Sequence, residues 1–274
     1  MLHLLFAVIS VFAAQNDAAS LPDASAVWER LRPNLLNQYE PTDLIKGYTY
    51  DLTSTVEEFD GKNRLKQTER REYEVYNFNR GPFRKLVRRN GADLSERERQ
   101  RENAALEWFA KQPPGIQDWA RNRWLKQLPE VIDDLPNAFD IIIAGREMLN
   151  GRSTLRVEFK PKQKPKPRTA IGKVLFSKAE GMAWVDEQDA RLQRLEVRYI
   201  GDVKLGFGLL LNISKDSEQE LEWTKVNGEV WLPARYEIRI KGRIIMAKGL
   251  NRRILNQYSE YKKFSTDVKI DVPY

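Results

Sequence analysis

The sequence predicts an α+β protein built on one large antiparallel sheet of about ten to eleven strands, with helices packed on one of its faces. Most of the chain alternates apolar and polar residues with a period of two, as half-buried strands do. Turn dipeptides separate these runs. The stretch 94–135 has helical periodicity instead. We therefore expect a single domain over 24–267, with a helical insertion at 94–135.

The composition is that of a globular chain with few catalytic residue types. Of the 274 residues, 41% are apolar and 31% are charged. Cysteine is absent, and the single histidine is His3. Thiol nucleophiles, histidine-dependent triads and metal sites built on thiolate or imidazole are therefore excluded from the chain that follows His3. We expect no cofactor and no metal. The net charge of +7 is spread over interleaved acids and bases, a pattern that does not predict nucleic-acid binding.

The first fourteen residues, MLHLLFAVISVFAA, form an apolar run that polar residues follow at once. The length of the run and its closing small residues are typical of a signal peptide, although no Lys or Arg precedes it. The alternative is an N-terminal helix of the folded protein. We expect residues 1–14 to be a cleaved signal and the protein to be periplasmic or secreted, and monomeric.

The first third of the chain is predicted to contain a helix and a hairpin. Residues 24–39 carry apolar side chains at helical spacing. Two β-rich runs, 47–59 and 64–78, flank Asp60-Gly61, a dipeptide typical of tight hairpin turns. The residues expected on one face of this hairpin are Tyr48, Tyr50, Leu52, Tyr73 and Val75.

The middle of the chain changes from strand to helix. A third strand is predicted over 83–89. Ser95 and Glu98 have the spacing of a capping box, which predicts that a helix begins there. Apolar residues then recur every three or four positions over 116–135. This spacing predicts an amphipathic helical pair that covers the sheet.

The second half returns to a period of two and predicts an antiparallel meander over 139–264. Asn-Gly at 150–151 and 227–228, and Lys-Gly at 241–242, predict tight turns between consecutive strands. A short helix is expected over 169–178.

The stretch GMAWVDEQDARLQRLEVRY, residues 181–199, raises the question of catalysis directly. Its two alternating runs are separated by Asp186, Glu187 and Asp189. A catalytic carboxylate pair needs a pocket that moves the two pKa values apart, whereas Asp is common where a chain reverses. We interpret these acids as a hairpin turn.

The segment KPKQKPKPR, residues 160–168, carries five positive charges and no acid. Its prolines predict an exposed loop. The loop is either a solvated connector or a surface that attracts an anionic membrane or an acidic partner. The residues expected to make such a contact are Lys160, Lys162, Lys164, Lys166 and Arg168.

Two hairpins resemble a known family. The pattern G-x-x-W-V-D-x-x-D-x-x-L-x-R-L-E at 181–196 and the Trp-Leu-Pro opening of GEVWLPARYEIRI at 228–240 are similar to strands of the outer-membrane lipoprotein-sorting (LolA/LolB-like) fold. The signal, the meander and the mid-chain helices are similar in layout. The resemblance implies a divergent member whose sheet is curved into an open half-barrel, with helices on its concave side and a hydrophobic cavity under this helical lid. Carrier members of that family shelter acyl chains, and related members sense envelope proteins.

The sequence therefore predicts an exported, non-catalytic protein that binds a lipid or another hydrophobic ligand in a half-barrel cavity. Two alternatives stay open. One is a sensor of envelope proteins, with the same fold and a closed core, and the other is a carboxylate-dependent hydrolase. The residues expected to line the cavity are Trp119, Trp124, Trp184, Leu195, Val197, Tyr199, Phe207, Tyr236, Ile238 and Ile240.

Overall fold

A computed structural model describes residues 20–39, 47–78, 81–112, 126–205, 211–244 and 249–263 of the protein. The helices are α1 (Ala24–Tyr39), α2 (Glu96–Ala110), α3 (residues 126–133), α4 (Leu135–Ala138) and α5 (Ala170–Leu175), and a 3-10 turn (Phe176–Lys178) follows α5. The strands are β1 (Tyr48–Phe59), β2 (Leu65–Phe78), β3 (Gly81–Arg89), β4 (Ala92–Asp93), β5 (Phe139–Leu149), β6 (Arg152–Pro161), β7 (Ala179–Asp186), β8 (Leu192–Tyr199), β9 (Val203–Leu205), β10 (Leu211–Ile213), β11 (Glu218–Val226), β12 (Val230–Ile244) and β13 (Gly249–Lys263).

All strands belong to one open antiparallel sheet, so the predicted fold class is confirmed. The order is β4-β3-β2-β1-β13-β12-β11-β8-β7-β6-β5, and β10 pairs with β12 and β9. The expected number of ten to eleven strands is corrected to 13. Three strands, β4, β9 and β10, have only two or three residues. Alternation over so few positions does not distinguish a strand from a loop.

The turn predicted at 241–242 is wrong. Strand β12 runs through Gly242 and pairs there with β13 on one side and with β10 on the other. A Cβ at Gly242 would lie 1.9 Å from the backbone oxygen of Asn212. The glycine therefore allows a neighbouring strand to approach closely and does not reverse the chain. The Asn-Gly turns at 150–151 and 227–228 are confirmed, with positive φ at both residues of each pair.

Two helices pack on one face of the sheet, which we call the inner face. Buried side chains of α1 and α3 meet the apolar side chains of β6 and β7, and those of β8 and β11 join them. We call the opposite face of the sheet the outer face. The buried cluster on the inner face contains Val27, Leu31, Leu35, Leu128, Ile132, Leu155, Val157, Ala183, Val185, Leu192 and Trp223. Burial of this cluster is the main hydrophobic stabilisation around strands β6, β7, β8 and β11.

Helix α2 does not share this position, although the prediction placed the whole insertion over the concave side. Its capping box is present at Ser95 and Glu98, as predicted. The helix lies against β3, where the Glu102 carboxylate accepts a hydrogen bond from the Leu86 backbone N–H (3.0 Å). The helix has few apolar residues, which suits a place at the sheet edge. There its carboxylate satisfies a strand N–H.

The 181–199 stretch is a hairpin of β7 and β8, as predicted, and its turn holds α1 in place. The Arg30 guanidinium donates to the Glu187 backbone oxygen (2.8 Å). The Asn34 amide donates to the Ala190 backbone oxygen (3.0 Å), and Arg191 returns a bond to the Asn34 backbone oxygen (2.9 Å). The turn therefore fixes the helix that closes the inner face.

Asp186 lies at the base of this turn and is 1% exposed. Its carboxylate accepts from Arg152 Nε (2.5 Å), from the Gln193 amide (3.0 Å) and from the Asp189 backbone N–H (2.7 Å). Burial alone would raise the pKa of Asp186, but these bonds outweigh it and the pKa is lowered. Its oxygens are occupied by structural bonds, as expected for a turn and not for a catalytic acid.

None of the described helices is both long and apolar enough to traverse a bilayer. Within the same residues, no group of three or more His, Cys, Asp or Glu side chains could hold a metal ion.

Candidate functional site

The structure divides the ten predicted cavity residues into four groups. Trp119, Trp124 and Phe207 lie outside the described residues. Leu195 packs under α1 and α3. Val197, Tyr199 and Ile240 form a second cluster with α5 and the β9–β10 pair, which also contains Val203 and Ile213. The remaining three are Trp184, Tyr236 and Ile238.

The placement of Trp184 on the cavity side is corrected. Trp184 pairs with Arg194 across β7 and β8, while the inner-face residue Leu195 pairs with Ala183. The Trp184 ring lies 5.2 Å from the Arg194 guanidinium, and its indole N–H donates to Glu147. Directly paired residues share one face of a sheet. Trp184 therefore belongs to the outer face, where charged partners satisfy its polar edge.

Tyr236 and Ile238 belong to a half-buried patch that continues across the next two strands. Ile238 pairs with Ile254 of β13, and Ile254 pairs with Val56 of β1. Tyr236 pairs with Leu221, which joins the core under the helices. We call this surface the tyrosine patch. It consists of Tyr50, Val56, Tyr236, Ile238, Ile254 and Tyr258, all half-buried.

Aromatic contacts hold the β1 and β13 side of the patch together. The ring of Tyr50 lies 5.9 Å from that of Tyr258 and 5.2 Å from that of Tyr261. The Tyr261 hydroxyl donates to the Pro233 backbone oxygen (2.6 Å) and fixes its own ring. Burial raises the pKa of Tyr50 to about 12 and also raises that of Tyr236 and Tyr258. All three hydroxyls are therefore protonated at neutral pH and can donate a hydrogen bond.

Two hydroxyls of the patch have no hydrogen-bond partner in the part of the chain that the structure describes. Neither Tyr50 nor Tyr236 makes a side-chain hydrogen bond to another described residue, whereas the nearby Tyr199 hydroxyl accepts from Gln219 (2.7 Å). Arg84 of β3 pairs with Val75 of β2, and Val75 pairs with Tyr50, so Arg84 lies on the inner face. It is exposed and forms no ion pair with any described residue. Burial is the larger influence on the pKa of Tyr50 and Tyr258, and the positive charge of Arg84 acts in the opposite direction. The patch thus combines apolar area, two open donors and one cation.

The outer face is built differently, from ion pairs. A continuous chain of paired charges crosses five strands, from β1 to β8. Arg194 holds Glu220 and Glu196 (both 2.7 Å), and Arg235 holds Glu220 (3.0 Å). The members in order are Glu57, Arg253, Glu237, Arg235, Glu220, Arg194 and Glu196. These arginines offset the repulsion of three glutamates, Glu196, Glu220 and Glu237, that are directly opposite one another on adjacent strands.

A trough of about 650 Å³ lies over these glutamates and is not the predicted apolar cavity. Six glutamates and three basic residues line it. A pair of catalytic carboxyl groups of the glycosidase type would need one of the two to stay protonated. Burial raises the pKa of Glu222, and Glu220 adds to the effect, but Glu222 does not line the trough. The acids at its centre are held by arginines. The trough therefore favours a structural role over the hydrolase alternative.

Sequence reasoning missed four members of the tyrosine patch, namely Tyr50, Val56, Ile254 and Tyr258. The alternation did place Tyr50 on one face with Leu52, and their pairing with Val75 and Tyr73 is confirmed. What the sequence does not show is that β1 pairs with β13, about 200 residues later. Only this pairing brings Tyr50 beside Tyr258.

No protein-family profile and no curated protein sequence matches the chain. Solved structures do resemble it. One is an outer membrane lipoprotein-sorting protein domain from Vibrio parahaemolyticus. It is 11% identical to this chain, with a TM-score of 0.36, and the match covers 90% of this chain and 96% of that domain's chain. A LolA superfamily protein from Nitrosomonas europaea is 8% identical, with a TM-score of 0.30, over 89% and 95%. A chain of the Pseudomonas aeruginosa MucA/MucB complex is 9% identical, with a TM-score of 0.26, over 89% and 100%.

Structures of the family that the two hairpins resemble are thus among those that match this chain, at low similarity. Identities and TM-scores as low as these say nothing about what this chain binds.

Proposed function

We propose that the tyrosine patch binds an amphipathic ligand with an acyl chain and an anionic or hydrogen-bonding head, and that the protein is a non-catalytic lipid-binding protein. The observation that carries this proposal is a half-buried apolar strip with two hydroxyls, Tyr50 and Tyr236, that have no hydrogen-bond partner among the described residues. The strip also carries Arg84, which forms no ion pair with those residues. Ligand sites commonly combine a mainly apolar lining with a few polar groups that orient the ligand.

The proposal assigns a part to each group. Ile238, Ile254 and Val56 form a row that an acyl chain can cover, gaining about 0.8 kcal/mol for each methylene removed from water. The hydroxyls of Tyr50 and Tyr236 donate to oxygens near the head. Arg84 attracts a carboxylate or phosphate, the groups that a guanidinium binds in two-point geometry.

The proposal includes export, with residues 1–14 lost as a signal and the protein acting in the periplasm or outside the cell. The apolar N-terminal run supports it. Intact-mass measurement on protein from the cell envelope checks it, and recovery of the full-length chain from the cytosol would contradict it.

Ile238→Lys is expected to weaken binding of a dansyl-labelled undecanoic acid to the delipidated protein by about tenfold or more, because it places a charge at the β12 end of the apolar row. Fluorescence titration measures the dissociation constant. Val197 is a poorer choice for this test, because it packs in a closed cluster with Tyr199 and its replacement would disturb the fold.

Ile142→Lys is the matched control, because Ile142 is 60% exposed and pairs with the outer-face residue Glu158. It should bind the probe as the wild type does. Circular dichroism and thermal melts confirm that both variants fold. If folded wild-type protein takes up no probe, the lipid-binding proposal fails, and the module that binds envelope proteins becomes the better reading.

A further inference from the structure

A continuous acid-free stretch lies at one end of the sheet. Residues 160–178 contain seven cations and no acid. Strand β6 ends at Pro161, β7 begins at Ala179 and pairs with the end of β8, so the stretch occupies the end of the sheet opposite the β7–β8 turn. We call residues 160–168 the basic strap. The sequence left open whether it is only a solvated connector.

The strap has a fixed path, because a buried carboxylate anchors it. Asp134, which is 0% exposed, accepts from the backbone N–H groups of Arg168 (2.8 Å) and Thr169 (2.7 Å) and from the Thr169 hydroxyl (2.6 Å). Burial alone would raise the pKa of Asp134, but these hydrogen bonds outweigh it and the pKa is lowered. Near the start of the strap, the Lys162 backbone N–H donates to the Ala138 backbone oxygen (2.9 Å). A freely solvated connector would need none of these bonds.

The anchored path leaves several cations free. Lys162 is turned inward, where its ammonium donates to the Pro136 backbone oxygen (2.7 Å). Arg168 is 71% exposed and 3.5 Å from Asp134. The lysines that are exposed and have no ion pair or side-chain hydrogen bond with any described residue are Lys160, Lys164, Lys166 and Lys173. The protein thus holds four unpaired ammonium groups on a fixed backbone, which lowers the ordering entropy of binding.

Exposed aliphatic side chains flank the strap. Ile142 is 60% exposed, and its partner Glu158 lies two residues before Lys160 on β6. Ile200 is 38% exposed, and its backbone N–H donates to the Lys178 backbone oxygen (2.9 Å). Cations beside exposed aliphatic groups are typical of surfaces that rest on a membrane.

We propose that the basic strap docks the protein on an anionic phospholipid bilayer. Single-stranded nucleic acid fits less well, because base stacking needs exposed aromatic rings and the sole ring of residues 160–178, Phe176, is buried. Lys160 also faces acids: Asp140 is its cross-strand partner, and Lys160 lines the trough together with Glu158 and Glu180. Glu180 is paired with Arg198. Docking goes beyond the proposed ligand binding, because it uses none of the tyrosine patch.

Co-sedimentation with vesicles tests the proposal. The full chain is expected to bind phosphatidylcholine vesicles that contain phosphatidylglycerol, and not vesicles of phosphatidylcholine alone. The quadruple variant K160Q/K164Q/K166Q/K173Q should bind about fivefold more weakly for each lysine removed, the factor typical of a lysine near an anionic leaflet. Binding should also fall steeply as salt is added.

The matched control is R97Q/R101Q/K111Q/K126Q. It removes the same charge from exposed residues of α2 and its C-terminal end and of α3, none with a side-chain partner among the described residues. It should keep the wild-type affinity, and thermal melts should show both variants folded. Equal loss in the control would mean that net charge alone attracts the protein. Equal binding to both vesicle types, or binding of a labelled oligothymidine but of no vesicle, would overturn the proposal.

Discussion

Arg152→Met is expected to lower the free energy of unfolding by about 2–3 kcal/mol, because it leaves the carboxylate of Asp186 buried without its cation. Asp186 is 1% exposed and Arg152 27% exposed, so solvent screens only one partner of the pair. Urea unfolding followed by circular dichroism measures the loss. The matched control is Arg88→Met, since Arg88 and Asp93 are both more than half exposed and such pairs contribute less than about 1 kcal/mol. Equal losses in the two variants would contradict the structural role of Asp186.

The same carboxylate makes stability depend on pH. The pKa of Asp186 is lowered in the folded protein, and so is that of Asp134. A group with a lowered folded pKa stabilises the protein fully above its unfolded pKa, and this contribution is lost as the pH falls through the folded value. We therefore expect stability to decline below about pH 4, the ordinary value for Asp. The decline should be shallower in Arg152→Met.

Gly181→Ala is expected to cost about 3 kcal/mol, at the upper end of the cost of overpacking. A Cβ on Gly181 would lie 1.9 Å from the backbone oxygen of Glu196 and 2.7 Å from the Phe159 ring, so strands β7 and β8 would have to separate. Gly145→Ala is the control, because a Cβ there meets nothing within 4 Å and the backbone there is not left-handed. Thermal melts compare the two. A Gly181→Ala protein as stable as the control would contradict the close approach of the strands.

Contacts in the structure account for three residues of the hairpin pattern. Gly181 allows β8 to approach β7 closely, Asp186 binds Arg152, and Arg194 lies over the Trp184 ring. The hairpin was predictable because its alternation and its turn residues are local in sequence.

The site was less predictable, for two physical reasons. The pairing of β1 with β13 joins residues about 200 positions apart, and no local pattern reports it. Trp184 is among the residues predicted from the sequence to line the cavity. Its alternation with Ala183 and Val185, both of the inner-face core, already places it on the other face. At this position the alternation was the better guide, because a Trp ring is satisfied by stacking on an arginine.

The position of the tyrosine patch also explains why the residues predicted to line one cavity fall into separate groups. Leu195 packs against the cluster under α1 and α3, and Val197 and Ile240 pack against the cluster of α5, β9 and β10. Tyr236 and Ile238 are also half-buried but belong to neither cluster. A ligand that replaces water on this remaining strip would complete the burial that the helices begin.

Photo-crosslinking tests the central claim most directly. Delipidated wild-type protein is irradiated with a diazirine-bearing fatty acid, and the adducts are mapped by peptide mass spectrometry. Adducts concentrated on β12, β13 and β1, at inner-face positions such as Tyr236, Ile254 and Tyr50, are the predicted result. An excess of unlabelled fatty acid should suppress them. Adducts confined to the outer face, or spread over the surface and insensitive to competition, would contradict the account.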